Sequence, residues 1–122
     1  MAEKQFKIAA GDIKPLVEGR GHCFATDMIT VDGRKVGYMY REPPDSEDDS
    51  GWRFFAGGES PAYLDDPGNT SVYDVNTIAN YDAEIIPLLD SPAGSAFERR
   101  GLFRKKFVAV PFEPPDDDEE QA

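Results

Sequence analysis

Gly51-Trp52-Arg53-Phe54-Phe55-Ala56-Gly57 is the stretch whose reading decides the fold. Three aromatic rings in seven residues, closed by Gly57-Gly58, have the composition of a central β-strand. A strand turns successive side chains to opposite faces, so Trp52 and Phe54 share one side and Arg53 and Phe55 the other. If one side is core, the other presents an aromatic ring beside a cation, which is the composition of a binding hot spot.

Upstream, apolar and polar residues mix from His22 to Thr30. Asp32-Gly33 then supplies the pair that a tight turn favours, and Lys35 to Arg41 alternates through Val36, Tyr38 and Tyr40. These segments are expected to form a β-hairpin, with Gly51 to Gly57 as a third strand. Downstream, Ser60-Pro61 is a helix start and predicts a short helix over Ala62 to Asp66, ended by Pro67-Gly68. Asn76 is expected to cap Thr77 to Tyr81. Asp82 is expected to cap another turn through Ile85 and Ile86, with Pro87 limiting its continuation. Phe107 to Phe112 reads as a returning strand at a sheet edge, because Pro111 lacks a donor. The expected class is α+β, a mainly antiparallel sheet of four to five strands with short helices.

A chain of 122 residues with 39% apolar side chains is the size of one domain and apolar enough to fold. Residues 1–112 are read as that domain, and residues 113–122 as an acidic, disordered tail introduced by Pro114 and Pro115. No run reaches the roughly 18 apolar residues needed to cross a bilayer, and Met1 to Ala10 lacks a secretory signal. The expected compartment is the cytoplasm, consistent with a lone Cys23 that has no internal disulfide partner.

The net charge of −11 is concentrated. Glu42 to Ser50 carries five acids (Glu42, Asp45, Glu47, Asp48, Asp49), and Glu113 to Ala122 carries six, with no base in either. Removing those eleven leaves 13 acids against 13 Lys and Arg, so the rest of the chain is neutral. Two acidic blocks repel phosphates and anionic lipid, so neither nucleic acid nor a membrane is an expected partner, whereas a basic protein is attracted. The internal block reads either as a solvated loop or as a contact surface. The basic cluster Arg99, Arg100, Arg104, Lys105 and Lys106 is expected to pair with the chain's own acidic blocks.

Reactive chemistry is hard to assemble from these residues. The single histidine, His22, adjoins Cys23, and neighbours on a strand point apart, which suits no thiolate–imidazole couple. One His and one Cys cannot complete a structural zinc site. Asp45 to Asp49 lacks the glycine and distant glutamate of a twelve-residue calcium loop, and no Gly-Lys-Ser or Gly-Lys-Thr follows Gly51, Gly57 or Gly58. No catalytic residue, metal or cofactor is assigned, and the chain is read as a binding protein and not an enzyme.

Three segments together carry a family resemblance: Asp32 to Glu42, Asp49 to Gly57, and Asn76-Thr77-Ile78-Ala79-Asn80-Tyr81-Asp82 running through Ile85 to Arg99. Over roughly Cys23 to Arg99 the chain resembles immunity protein family thirty-three of bacterial polymorphic toxin systems, formerly a domain of unknown function. The resemblance implies a protein that neutralises a toxin by occluding its active site or blocking its activation. It supplies no catalytic residues. Acidity suits such work against a basic toxin, since opposite charge speeds encounter. The expected contact residues are Glu42, Asp45, Glu47, Asp48 and Asp49 as a steering surface, with Trp52 and Arg53 as anchors. The alternatives are a protein-binding or regulatory module without a toxin, and a carboxylate-based, metal-dependent enzyme.

Overall fold

The computed structural model describes residues 4–100 and 106–112. Its strands are β1 (His22–Thr26), β2 (Tyr38–Arg41), β3 (Asp49–Phe55), β4 (Thr70–Asp74), β5 (Ala96–Arg100) and β6 (Lys106–Ala109). The helices are α1 (Asp27–Thr30), α2 (Pro61–Asp65) and α3 (Val75–Tyr81), with 3-10 segments at Ala10–Asp12, Pro67–Asn69 and Ala83–Leu88. The aromatic stretch is indeed central. β3 lies third in a six-stranded sheet of order β4-β1-β3-β2-β5-β6.

The class is α+β, but the sheet is larger than expected and mixed. β1 runs parallel to β3, while the other neighbouring pairs are antiparallel. The expected hairpin of His22–Thr30 on Lys35–Arg41 does not form, because β3 lies between β1 and β2. The chain leaves β1 into α1, and Asp32-Gly33 closes that helical turn. Gly33 has φ +80°, and the amides of Asp32, Gly33 and Arg34 donate back to the carbonyls of Asp27, Ile29 and Met28. A left-handed glycine serves a helix end as well as a hairpin turn. β2 forms a hairpin with β3 instead, with Tyr40 opposite Arg53, and the acidic segment is its loop.

One face of the sheet holds the core. Met39, Trp52 and Phe54 meet Ile29 of α1, Val75 and Ile78 of α3, and Ile85 and Leu89 in or beside the last 3-10 segment. Trp52 and Phe54 stack at 6.0 Å between ring centroids, and the Trp52 indole N–H donates to the Leu89 carbonyl at 3.2 Å. Ser60 caps α2 by accepting from the Tyr63 amide, and Asp82 caps the 3-10 segment by accepting from Glu84, as expected. Asp74, and not Asn76, caps α3. The 3-10 segment continues through Pro87 to Leu88, since proline's fixed φ suits a 3-10 turn. The returning strand is β6, at the sheet edge. The acidic tail and residues Arg104 and Lys105 lie outside the described residues. Arg99 pairs with Asp82 and Glu84, and Arg100 with Glu98; neither meets the acidic loop.

Candidate functional site

The acidic β2–β3 loop is organised from a buckle in β3. Asp49 is opposite His22 and Arg53 opposite Phe24, so four steps along β3 match two along β1. The surplus is absorbed at Gly51, whose φ is +89° and where a Cβ would sit 2.2 Å from the Glu42 carbonyl oxygen. Only glycine fits such a bulge. A regular strand would hold the Cα atoms of Asp49 and Arg53 about 13 Å apart. The buckle turns Asp49 back onto the guanidinium instead.

Arg53 Nη1 and Nη2 donate to Asp49 Oδ1 and Oδ2, both at 2.9 Å, and its Nε donates to Glu42 Oε2 at 3.0 Å. The guanidinium also lies 4.6 Å from the centroid of the Phe24 ring. Asp49 accepts further from the amides of Asp45 and Gly51, so one carboxylate fixes both flanks of the loop's end. Its hydrogen bonds to Arg53 hold its pKa well below the usual carboxylate range, against the opposing effect of burial. Two of the five loop acids are therefore committed to an internal ion pair.

The expected contact residues divide accordingly. Asp45, Glu47 and Asp48 are exposed on the loop, and Glu42 is partly so. Asp49 and Arg53 are enclosed in their pair. Trp52, expected as an anchor, is 1% exposed on the core face and presents no surface to a partner. A strand this central buries its largest ring, which corrects that expectation.

The opposite face of the sheet is more open. Its cross-strand rows read Val72, Phe24, Arg53 and Tyr40 in one line and Phe55, Tyr38, Glu98 and Val108 in the next. Tyr38, Tyr40 and Phe55 cluster with centroids 5.6–5.8 Å apart, and Phe112 packs edge-on against Tyr40. Of the five exposed large apolar side chains among the described residues, three (Phe24, Val72 and Val108) lie on this face. The short helix α2 overhangs it, leaving a cavity of about 640 Å³ between Phe24, Tyr40 and Phe55 on one side and Leu64 on the other. Glu42, Asp45, Glu59 and Asp65 stand around it. Sequence reading missed this assembly, although the alternation of Tyr38 and Tyr40 about Met39 was its signal; Glu59 and α2 arrive from a distant segment.

The segments that carry the family resemblance prove largely architectural. Asn76 Oδ1 accepts from the amides of Leu16 and Val17, and Asn80 Oδ1 from that of Lys14, while both side-chain amides donate to the Lys14 carbonyl. Tyr81 donates to the Thr30 carbonyl and accepts from the Ile8 amide. Asp82 receives the Val36 amide and Arg99. Arg99 reaches the Val36 carbonyl as well and lies 4.2 Å from the Phe107 ring centroid. These side chains tie the N-terminal segment, α3 and β5 together.

His22 and Cys23 occupy opposite faces of β1, the first exposed and the second buried with its thiol pKa pushed up by that burial. Among the described residues no three His, Cys, Asp or Glu side chains group to hold a metal ion. None of the described helices is long and apolar enough to cross a membrane. The family model described as the immunity protein Imm33 domain matches residues 23–110, well over half of the chain. No curated protein and no solved structure matches it.

Proposed function

We propose that this chain, which belongs to the Imm33 immunity-protein family, binds and neutralises a protein toxin without catalysing a reaction, its acidic loop steering a basic partner. Family membership carries the reading. The geometry supports the finer part of it: Asp45, Glu47 and Asp48 project from a loop whose base is pinned by Asp49 and Arg53, so the charges are presented from a fixed support. A charged surface held in place focuses its field on an approaching partner of opposite sign. Glu42, Asp49 and Arg53 serve as that support, with Trp52 anchoring the strand from the core. A non-enzymatic role fits the separation of His22 from Cys23. The place of action is the cytoplasm, where an unpaired thiol is at home.

The test is co-expression with toxin domains encoded beside this gene, read by growth and by isolation of a complex. Rescue of growth with a one-to-one complex is the expected result. Killing undiminished by the chain, with no toxin retained on it, would overturn the proposal.

A further inference from the structure

We infer that the cavity between the open sheet face and α2 is a docking pocket for a basic side chain, an arginine or lysine presented by the protein partner. The inference rests on the reading of the chain as a protein-binding immunity protein and adds the contact surface. Its floor is aromatic, built from Tyr40, Phe55 and Phe24, the last with the Arg53 guanidinium already over its ring. Its rim is anionic, and the only cation lining it among the described residues, Arg53, is already gripped by Asp49 and Glu42. Glu59 adds a carboxylate held by neutral donors: Oε2 accepts from the Thr26 hydroxyl at 2.5 Å and the Ala56 amide at 2.7 Å, and Oε1 from the Gly57 amide at 2.9 Å. Those bonds fix its position, and among the described residues no ion pair compensates its charge. Asp45 and Asp65 stand at the mouth without ion pairs among the described residues.

Aromatic faces backed by carboxylates attract a guanidinium or ammonium group by cation–π and charge–charge terms together. A volume of about 640 Å³ admits one such side chain with its neighbours. The acidic loop supplies one wall through Glu42 and Asp45. The second acidic block begins immediately after Phe112, which packs on Tyr40. Arg100 lines an adjoining cavity that shares Phe55, Glu59 and Leu64 with this pocket, and its guanidinium is paired with Glu98.

The test titrates the intact protein with hexa-arginine, hexa-lysine and hexa-glutamate peptides, followed by side-chain NMR of Phe24, Tyr40 and Phe55. Saturable shifts of these rings with the two basic peptides, and none with hexa-glutamate, are expected. The double variant Asp45→Lys with Asp65→Lys changes exposed residues, and its thermal melt verifies the fold. It should weaken binding at least tenfold, whereas neutralising the acids of residues 113–120 should leave the ring shifts in place. Shifts confined to the tail, or undiminished ring shifts in the double variant, would overturn the inference. So would a concentration-dependent dimer abolished by that variant, which would assign the pocket to a second copy. A neutralised toxin that the double variant binds as tightly as the parent overturns the pocket but leaves the immunity role intact. Ring shifts that persist where no toxin is neutralised support the pocket while the immunity role fails.

Discussion

Arg53 and Asp49, four residues apart on one strand, face each other through two parallel hydrogen bonds of 2.9 Å. Removing the carboxylate charge leaves an enclosed guanidinium with Glu42 as its one remaining carboxylate among the described residues and the Trp52 carbonyl as a neutral acceptor. Asp49→Asn should therefore cost about 3 kcal/mol near neutral pH, as for a broken buried pair. Because the folded pKa of Asp49 lies below its unfolded value near 3.9, the pair's contribution is fully present above that value. It is lost as pH falls through the folded pKa. Urea unfolding at pH 7, 5 and 3 should show the gap between parent and variant closing only below about pH 4. A gap that stays constant across this range would contradict the assignment.

The same pair depends on the glycine between its members. Gly51→Ala places a Cβ 2.2 Å from a backbone oxygen at a φ of +89°, and no side-chain motion relieves a clash with main chain. A loss of more than about 3 kcal/mol is expected from left-handed strain and the displaced β2–β3 loop. Thermal unfolding measures it, and a melting temperature equal to the parent's would refute the buckle.

Asn76 and Asn80 make a more local prediction. They hold Lys14, Leu16 and Val17 by their backbone, so Asn76→Ala should free the amides of Leu16 and Val17 at a cost of about 1–3 kcal/mol. Hydrogen exchange should quicken at Leu16 and Val17 while the central strands stay protected. Uniform quickening would mean that the asparagine supports the whole fold.

Asp82 and Glu84 both contact Arg99, yet Asp82 is 0% exposed and Glu84 is 69% exposed at the side chain. Burial makes the partners unequal. Asp82→Ala should cost about 3–5 kcal/mol by removing the buried partner of Arg99 and leaving the Val36 amide unsatisfied, and Glu84→Ala far less, since solvent screens an exposed pair. Denaturant midpoints compare the two directly.

Sequence reading found the elements whose signals are local. The aromatic run of β3, the Ser60 cap and the Asp82 turn each declare themselves within a few residues. It missed β4, an edge strand whose Thr70 to Asp74 pattern buries little, and β5, where Arg99 occupies a core-facing position through its ion pairs. A charged residue in a buried register hides the alternation that marks a strand. The Asp32-Gly33 turn misled because positive φ is common to hairpins and helix ends. The acidic loop was visible as composition, but its division into structural and exposed acids depends on the Gly51 buckle, which no pattern of apolar residues encodes.

That division sharpens the prediction for binding. Neutralising all five acids would confound steering with stability, since Asp49 and Glu42 hold Arg53. Asp45→Asn, Glu47→Gln and Asp48→Asn together change only exposed side chains and should leave the melting temperature within about 2 °C. Against a basic toxin, this triple variant should associate roughly tenfold more slowly at low ionic strength. The dependence of the rate on salt should flatten, with dissociation less affected. Stopped-flow association at several salt concentrations separates these effects. Rates that match the parent's throughout would remove the loop from the encounter and leave recognition to the open sheet face alone.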